Sequence, residues 1–131
     1  MNAKSYVTDT HSLVWYFSDS PRLSAGAFKV FENTVENGSI IVPTVVLAEI
    51  MYIAKKGRIE MTFSETVEKI EEMENFEIVP LDMDILNIAN KIEYELEMHD
   101  RLITATAMFF EAPLITKDQM IKDSGLCEVI W

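Results

Sequence analysis

Ser5-Tyr6-Val7-Thr8-Asp9-Thr10-His11-Ser12-Leu13-Val14-Trp15 decides how this chain is read. Four residues of β-type character end at an acid, and the acid leads directly into an apolar helix start. The β-type unit recurs downstream. Ser39-Ile40-Ile41-Val42, Phe76-Glu77-Ile78-Val79 and Leu114-Ile115-Thr116 are each followed by a segment that can be helical, and Glu128-Val129-Ile130 closes the series. Strands alternating with helices define an α/β chain, with a central parallel sheet of four to five strands and helices on both faces.

The helices follow from periodicity. Between Asp82 and Glu97, the residues Ile85, Ile88, Ala89, Ile92 and Leu96 form one apolar stripe, with Glu93, Glu95 and Glu97 outside it. Ser64 to Glu74 spaces Val67, Ile70 and Met73 similarly and carries an acidic opposite face. Thr44 to Lys55 and Arg101 to Phe110 are apolar nearly all round, which predicts burial on all sides. Pro43 suits the first turn of the Thr44 helix, and Gly57 suits its left-handed end.

With 131 residues, of which 49% are hydrophobic and 25% charged, one globular domain over 1–131 is expected and a disordered chain is excluded. No apolar run approaches the roughly 18 residues of a membrane span. The N-terminal MNAKSYVTDTHS has no apolar core of a signal peptide, and Cys127 is alone, so the cytoplasm is the expected compartment. Two histidines and one cysteine exclude a closed Cys/His zinc site. Net charge is −11, and it is unevenly spread: the first 62 residues hold six basic and six acidic residues, the remainder five and sixteen. Taken alone, this argues against a protein that grips nucleic acid by a broad basic face.

Four acids stand where a plain core would not place them. Asp9 and Asp118 follow β-type runs, Glu49 lies within Val45-Val46-Leu47-Ala48-Glu49-Ile50-Met51, and Asp100 opens an apolar helix. An isolated buried carboxylate costs several kcal/mol unless paired or ligated. In a doubly wound sheet, the ends of strands border the ligand crevice. Carboxylates converging there repel one another, a conflict that a divalent cation resolves, and oxygen-only ligands favour Mg²⁺ or Mn²⁺ over zinc. Such a site is equipped for phosphodiester hydrolysis. Each acid also has a structural alternative: Asp9 and Asp100 as helix caps, Glu49 in an ion pair, Asp118 as a loop acid.

Taken in order, Val7-Thr8-Asp9-Thr10-His11-Ser12-Leu13-Val14-Trp15, Pro43-x-x-x-x-Ala48-Glu49-Ile50, His99-Asp100-Arg101-Leu102-Ile103-Thr104-Ala105-Thr106-Ala107 and Leu114-Ile115-Thr116-Lys117-Asp118 resemble the PIN-domain family, and within it the VapC-type toxins of toxin–antitoxin pairs. Gly57-Arg58-Ile59 matches as well. The resemblance implies a three-layer α/β/α fold and a Mg²⁺-dependent endoribonuclease, with Asp9, Glu49, Asp100 and Asp118 as catalytic and metal-binding residues. It implies Thr116 as a hydroxyl at the site. It further implies an RNA substrate, a homodimer, and an inhibitory antitoxin through which any DNA contact is made. No membrane is involved.

Arg101 follows a site acid and has two readings, a contact to substrate phosphate or an ion pair with a site carboxylate. Lys117 has the same two. His11 reads as a structural histidine, Trp15-Tyr16-Phe17 as core or dimer packing, and Cys127 as an inert thiol. The acidic stretch from Ser64 to Glu77 argues against RNA gripping that face. A phosphatase Asp-x-Asp motif at Asp82-Met83-Asp84 is countered by its position at a helix start, where the dipole favours acids. A receiver domain needs an adjacent acidic pair after the first strand, and Val7-Thr8-Asp9-Thr10 has one acid. A PIN scaffold without chemistry is countered by the presence of all four acids.

Overall fold

A computed structural model describes residues 4–59 and 61–131. The elements run β1 (Lys4–Thr8), α1 (Thr10–Phe17), α2 (Ala25–Asn37), β2 (Gly38–Pro43), α3 (Thr44–Lys55), α4 (Phe63–Glu72), β3 (Phe76–Val79), α5 (Met83–Lys91), α6 (Met98–Phe110), β4 (Leu114–Ile115), α7 (Gln119–Ser124) and β5 (Val129–Ile130). The five strands form one all-parallel sheet in the order β3-β2-β1-β4-β5, with helices packed on it as an α/β/α sandwich. Parallel strands covered on both faces must be apolar throughout rather than alternating. Ile40, Ile41 and Val42 of β2 meet that demand, all three being buried.

The strand order fixes where the site lies. β1 is flanked by β2 on one side and β4 on the other, so the winding reverses at β1. The crevice beyond the C-terminal ends of β1 and β4 is the place where such sheets receive ligands. Thr8 pairs with Ile115, and the Asp9 amide donates to the Ile115 carbonyl at 3.2 Å. The residues that follow β1 and β4 are thereby held side by side.

Helix limits depart from the periodic reading at two places. The apolar stripe from Ile85 to Leu96 is buried at Ile85, Ala89, Ile92 and Leu96, but the helix stops at Lys91 and Ile92 is extended. Three glutamates crowd the stretch that would continue it, where the helix dipole disfavours negative charge. Arg101 then takes the end over: its guanidinium donates to the carbonyls of Ala89 (3.2 Å), Ile92 (2.6 Å) and Tyr94 (3.0 Å). In addition, α3 is not buried all round, since Met51 and Tyr52 are exposed. Pro43 is the N-cap of α3, one position before its first turn.

α2, which no strong period announces, is capped by Ser24 and anchored by Ala27, Phe31 and Thr34. It ends at Gly38, whose φ of 151° brings the backbone against β1. A Cβ there would lie 2.4 Å from the Lys4 carbonyl oxygen. Gly57 is left-handed, with φ of 67°, just past the end of α3. Among the described residues, no helix is long and apolar enough to cross a membrane.

Candidate active site

Asp9 ends β1 and caps α1. One carboxylate oxygen, Oδ1, accepts from the Ser12 amide at 2.9 Å, and the other, Oδ2, accepts from the Thr116 hydroxyl at 2.6 Å. Thr116 itself accepts from the Asp118 amide at 3.1 Å, and Asp118 caps α7 by accepting from the Ile121 amide at 2.9 Å. One hydroxyl thus couples the acid beyond β1 to the acid beyond β4. Capping is therefore no rival to a place in the site: Asp9 and Asp118 do both.

Glu49 projects from α3 and accepts a hydrogen bond from Thr10, with His99 Nδ1 4.0 Å from its other oxygen. Asp100 lies in the first turn of α6, but the cap of that helix is Glu97, which accepts from the His99 amide at 3.1 Å and pairs with the His99 ring at 2.8 Å. The Asp100 side chain takes no hydrogen bond among the described residues, which leaves it free to turn.

Asp9, Glu49, Asp100 and Asp118 line one cavity of about 620 Å³ at the switch point, together with Glu97. The electrostatics record their convergence. Burial, then the negative charges of Asp118, Glu97, Asp9 and Glu49, push the Asp100 carboxyl up to about 7. Burial also raises Asp9, against the lowering influence of its bonds to Ser12 and Thr116.

Four carboxylates, none in an ion pair with lysine or arginine among the described residues, are a donor set of hard oxygens suited to Mg²⁺ or Mn²⁺. Among the described residues, no three His, Cys, Asp or Glu side chains stand at the separations a shared ion imposes. Gathering them takes side-chain rotation, for which unbonded Asp100 is the least restrained. The donor chemistry and the charge conflict at Asp100 fit a divalent cation.

Three expectations are corrected. Arg101 neither faces substrate nor pairs with a site acid, because its guanidinium is spent on the backbone carbonyls at the end of α5. Thr116 is 1% exposed, so its hydroxyl positions Asp9 and Asp118 rather than touching substrate. His11 is exposed at the cavity rim rather than structural. The aromatic run also divides. Phe17 is core and Tyr16 stacks on Phe31 at 4.4 Å, as core packing requires, whereas half-buried Trp15 lines the cavity. Lys117 is exposed there and forms no ion pair among the described residues. Cys127 behaves as expected, its thiol pushed up to about 11 by burial. Asp82 caps α5 by accepting from the Ile85 amide at 3.1 Å, in keeping with a helix start.

Glu97, His99 and Thr10 belong to the site's surroundings and were not assigned roles from sequence. The one signal was an acid, Glu97, directly before the helix, at its N-cap position.

The PIN domain family model matches residues 6–125, and the chain belongs to the PIN domain family. No curated protein matches in sequence. Solved structures with this fold include a VapBC2 complex of Rickettsia felis bound to a promoter DNA fragment, 18% identical with a TM-score of 0.72, covering 95% of this chain and 96% of that one. DNA-bound VapBC of Salmonella typhimurium is 12% identical with a TM-score of 0.70 and 96% coverage of both chains. A sarcin-ricin-loop-cleaving VapC toxin of Mycobacterium tuberculosis is 14% identical with a TM-score of 0.68, covering 95% of this chain and 98% of that one.

Proposed function

We propose that this PIN domain is a Mg²⁺-dependent endoribonuclease, Mn²⁺ being an alternative metal, and that it acts as the toxin of a cytoplasmic toxin–antitoxin pair. The observation that carries the reading is the convergence of Asp9, Glu49, Asp100 and Asp118 on one cavity at the switch point, where burial and the neighbouring acids together push Asp100 up to about 7. A divalent ion held by these carboxylates supplies Lewis-acid activation of water and stabilises negative charge on a scissile phosphodiester.

The chain's own residues prepare that chemistry. Ser12 and Thr116 fix both oxygens of Asp9, and Thr116 also sets the backbone of Asp118. Thr10 orients Glu49. Burial and the neighbouring acids raise the Asp100 carboxyl, so a cation held there would favour its ionised form and its uptake would be coupled to proton release.

The similar folds in VapBC complexes support an antitoxin as partner, through which DNA contact would be made. Exposed apolar residues are available for that partner and for a homodimer: Met51 and Tyr52 on α3, Met83 and Leu86 on α5. Purified protein should cleave labelled RNA in millimolar Mg²⁺ and not in EDTA, and folded Asp100→Asn should lose most of that activity. Cleavage that persists in EDTA, or at the wild-type rate in Asp100→Asn, overturns the reading.

A further inference from the structure

The carboxylates that serve the chemistry also repel an RNA strand, in a chain with 22 acids and only 11 lysines and arginines. The structure places cations against that repulsion. The acid cavity is lined by Arg22 and Lys117 as well as by the acids. A second cavity, of about 530 Å³, adjoins it, shares His11, Trp15 and Arg22 with it, and adds Arg58. Arg22, Arg58 and Lys117 are exposed, and none forms an ion pair among the described residues. Arg101, by contrast, is consumed by backbone carbonyls. An exposed guanidinium without a carboxylate is free to take phosphate, often in a two-bond fork.

Trp15 stands where the cavities meet. Its ring has Trp131 at 6.0 Å, His11 at 5.7 Å and the Lys117 Nζ at 6.0 Å from the ring centre. It is a half-buried aromatic surface, braced from within the fold and bordered by cations, which are the parts of a single-strand binding platform.

We propose that Arg22, Arg58 and Lys117 form a phosphate track leading a single RNA strand from the second cavity to the four carboxylates, with Trp15 stacking one unpaired base at the junction. The track rests on the ribonuclease reading for its purpose but not for its test. Stacking requires a base free of its helix, which is why the binding test uses a single strand.

Binding is measured by fluorescence anisotropy with a labelled single-stranded RNA, in an Asp100→Asn background so that nothing is cut. Arg22→Gln with Arg58→Gln should weaken binding about tenfold or more and lower the slope of log affinity against log salt by about 1.4, close to 0.7 for each phosphate no longer neutralised. Trp15→Leu should weaken it about tenfold, and Trp15→Phe should restore most of the loss. Lys69→Gln with Lys91→Gln, an equal charge change away from both cavities, should leave the slope unchanged.

In the cleaving protein, the two arginine substitutions should raise KM with little change in kcat. If the wild type binds RNA through the track but cleaves nothing, the catalytic reading fails and the track stands. If the arginine pair leaves affinity and salt slope unaltered, or the distant lysine pair lowers them equally, the track is overturned whatever the cleavage result. Absence of any RNA binding overturns it too.

Discussion

Asp100→Asn in metal-free buffer separates a carboxylate cluster built for a cation from an acid that merely supports the fold. The ordinary Asp value is 3.8, and in the folded protein Asp100 is raised to about 7 by burial and by Asp118, Glu97, Asp9 and Glu49. Between those values the folded state binds a proton that the unfolded chain has released, so stability falls as pH rises from about 4 to 7 and stays low above. Each unit is worth about 1.4 kcal/mol, which bounds the effect at roughly 4 kcal/mol. Asp100 is only half-buried, and solvent screening reduces this to about 1–2 kcal/mol.

Asparagine keeps the shape and removes the charge. In EDTA at pH 8 the variant should therefore melt roughly 3–8 °C above wild type, and below pH 4 the two should coincide. In millimolar Mg²⁺ at pH 8 the wild type should recover by mass action and the variant should gain less. Asp100 is the clean position for this experiment because Asp9 carries a helix cap and the Thr116 bond as well. Thermal melts across pH 4–8 in both buffers give the answer. A variant less stable than wild type at pH 8 in EDTA, or a difference that does not change with pH, refutes the reasoning.

Other substitutions test single contacts. Thr116→Val removes the hydroxyl that joins Asp9 to Asp118, and should cost about 1–2 kcal/mol and lower kcat more than KM is changed; unaltered kcat in a folded variant counts against its positioning role. Arg101→Met should cost about 2 kcal/mol in urea unfolding by leaving the Ile92 and Tyr94 carbonyls without their guanidinium donor, while the folded fraction cleaves RNA normally; a loss of cleavage without loss of stability would restore the phosphate-contact reading. Thr62→Ala breaks the reciprocal cap with Glu65 at the start of α4 and should cost about 1 kcal/mol without touching activity, as measured by melting and by cleavage rate. If Asp100 gives up its proton to a cation, apparent Mn²⁺ affinity should rise between pH 6 and pH 8 in calorimetric titration, and a flat profile would contradict that coupling.

The strands were legible because short runs rich in β-branched and aromatic residues recur, each of the first four leading into a segment of helical character, although only Ile40-Ile41-Val42 of β2 is the continuous apolar run that burial on both faces favours. The four acids were legible because each stands where a plain core would not place it: Asp9 and Asp118 just past β-type runs, Glu49 inside an apolar helix, and Asp100 at the start of one. What stayed hidden depends on partners that leave no pattern. Arg101 bonds to backbone carbonyls, which every residue possesses, so nothing distinguishes it in sequence from a substrate-facing arginine. Trp15, Tyr16 and Phe17 look alike as a run, yet a helix turns each about 100° from the last, sending one to the cavity and two inward. The stripe from Ile85 to Leu96 foretold burial correctly and helix length wrongly, because extended chain can bury Ile92 and Leu96 as well as a helix can. α2 is harder to read because it exposes Phe28 and Val35 while burying Ala27 and Phe31, which blurs its apolar stripe.

The central claim is that Asp9, Glu49, Asp100 and Asp118 gather around a divalent cation. Crystals of the protein soaked in Mn²⁺, with anomalous diffraction recorded at the manganese edge, test it most directly. The account predicts an anomalous peak in the cavity beyond β1 and β4, within about 2.0–2.4 Å of carboxylate oxygens from this set, and no peak there in Asp100→Asn crystals at matched Mn²⁺. Wild-type crystals with manganese bound elsewhere, or with no peak among these four acids, would contradict it.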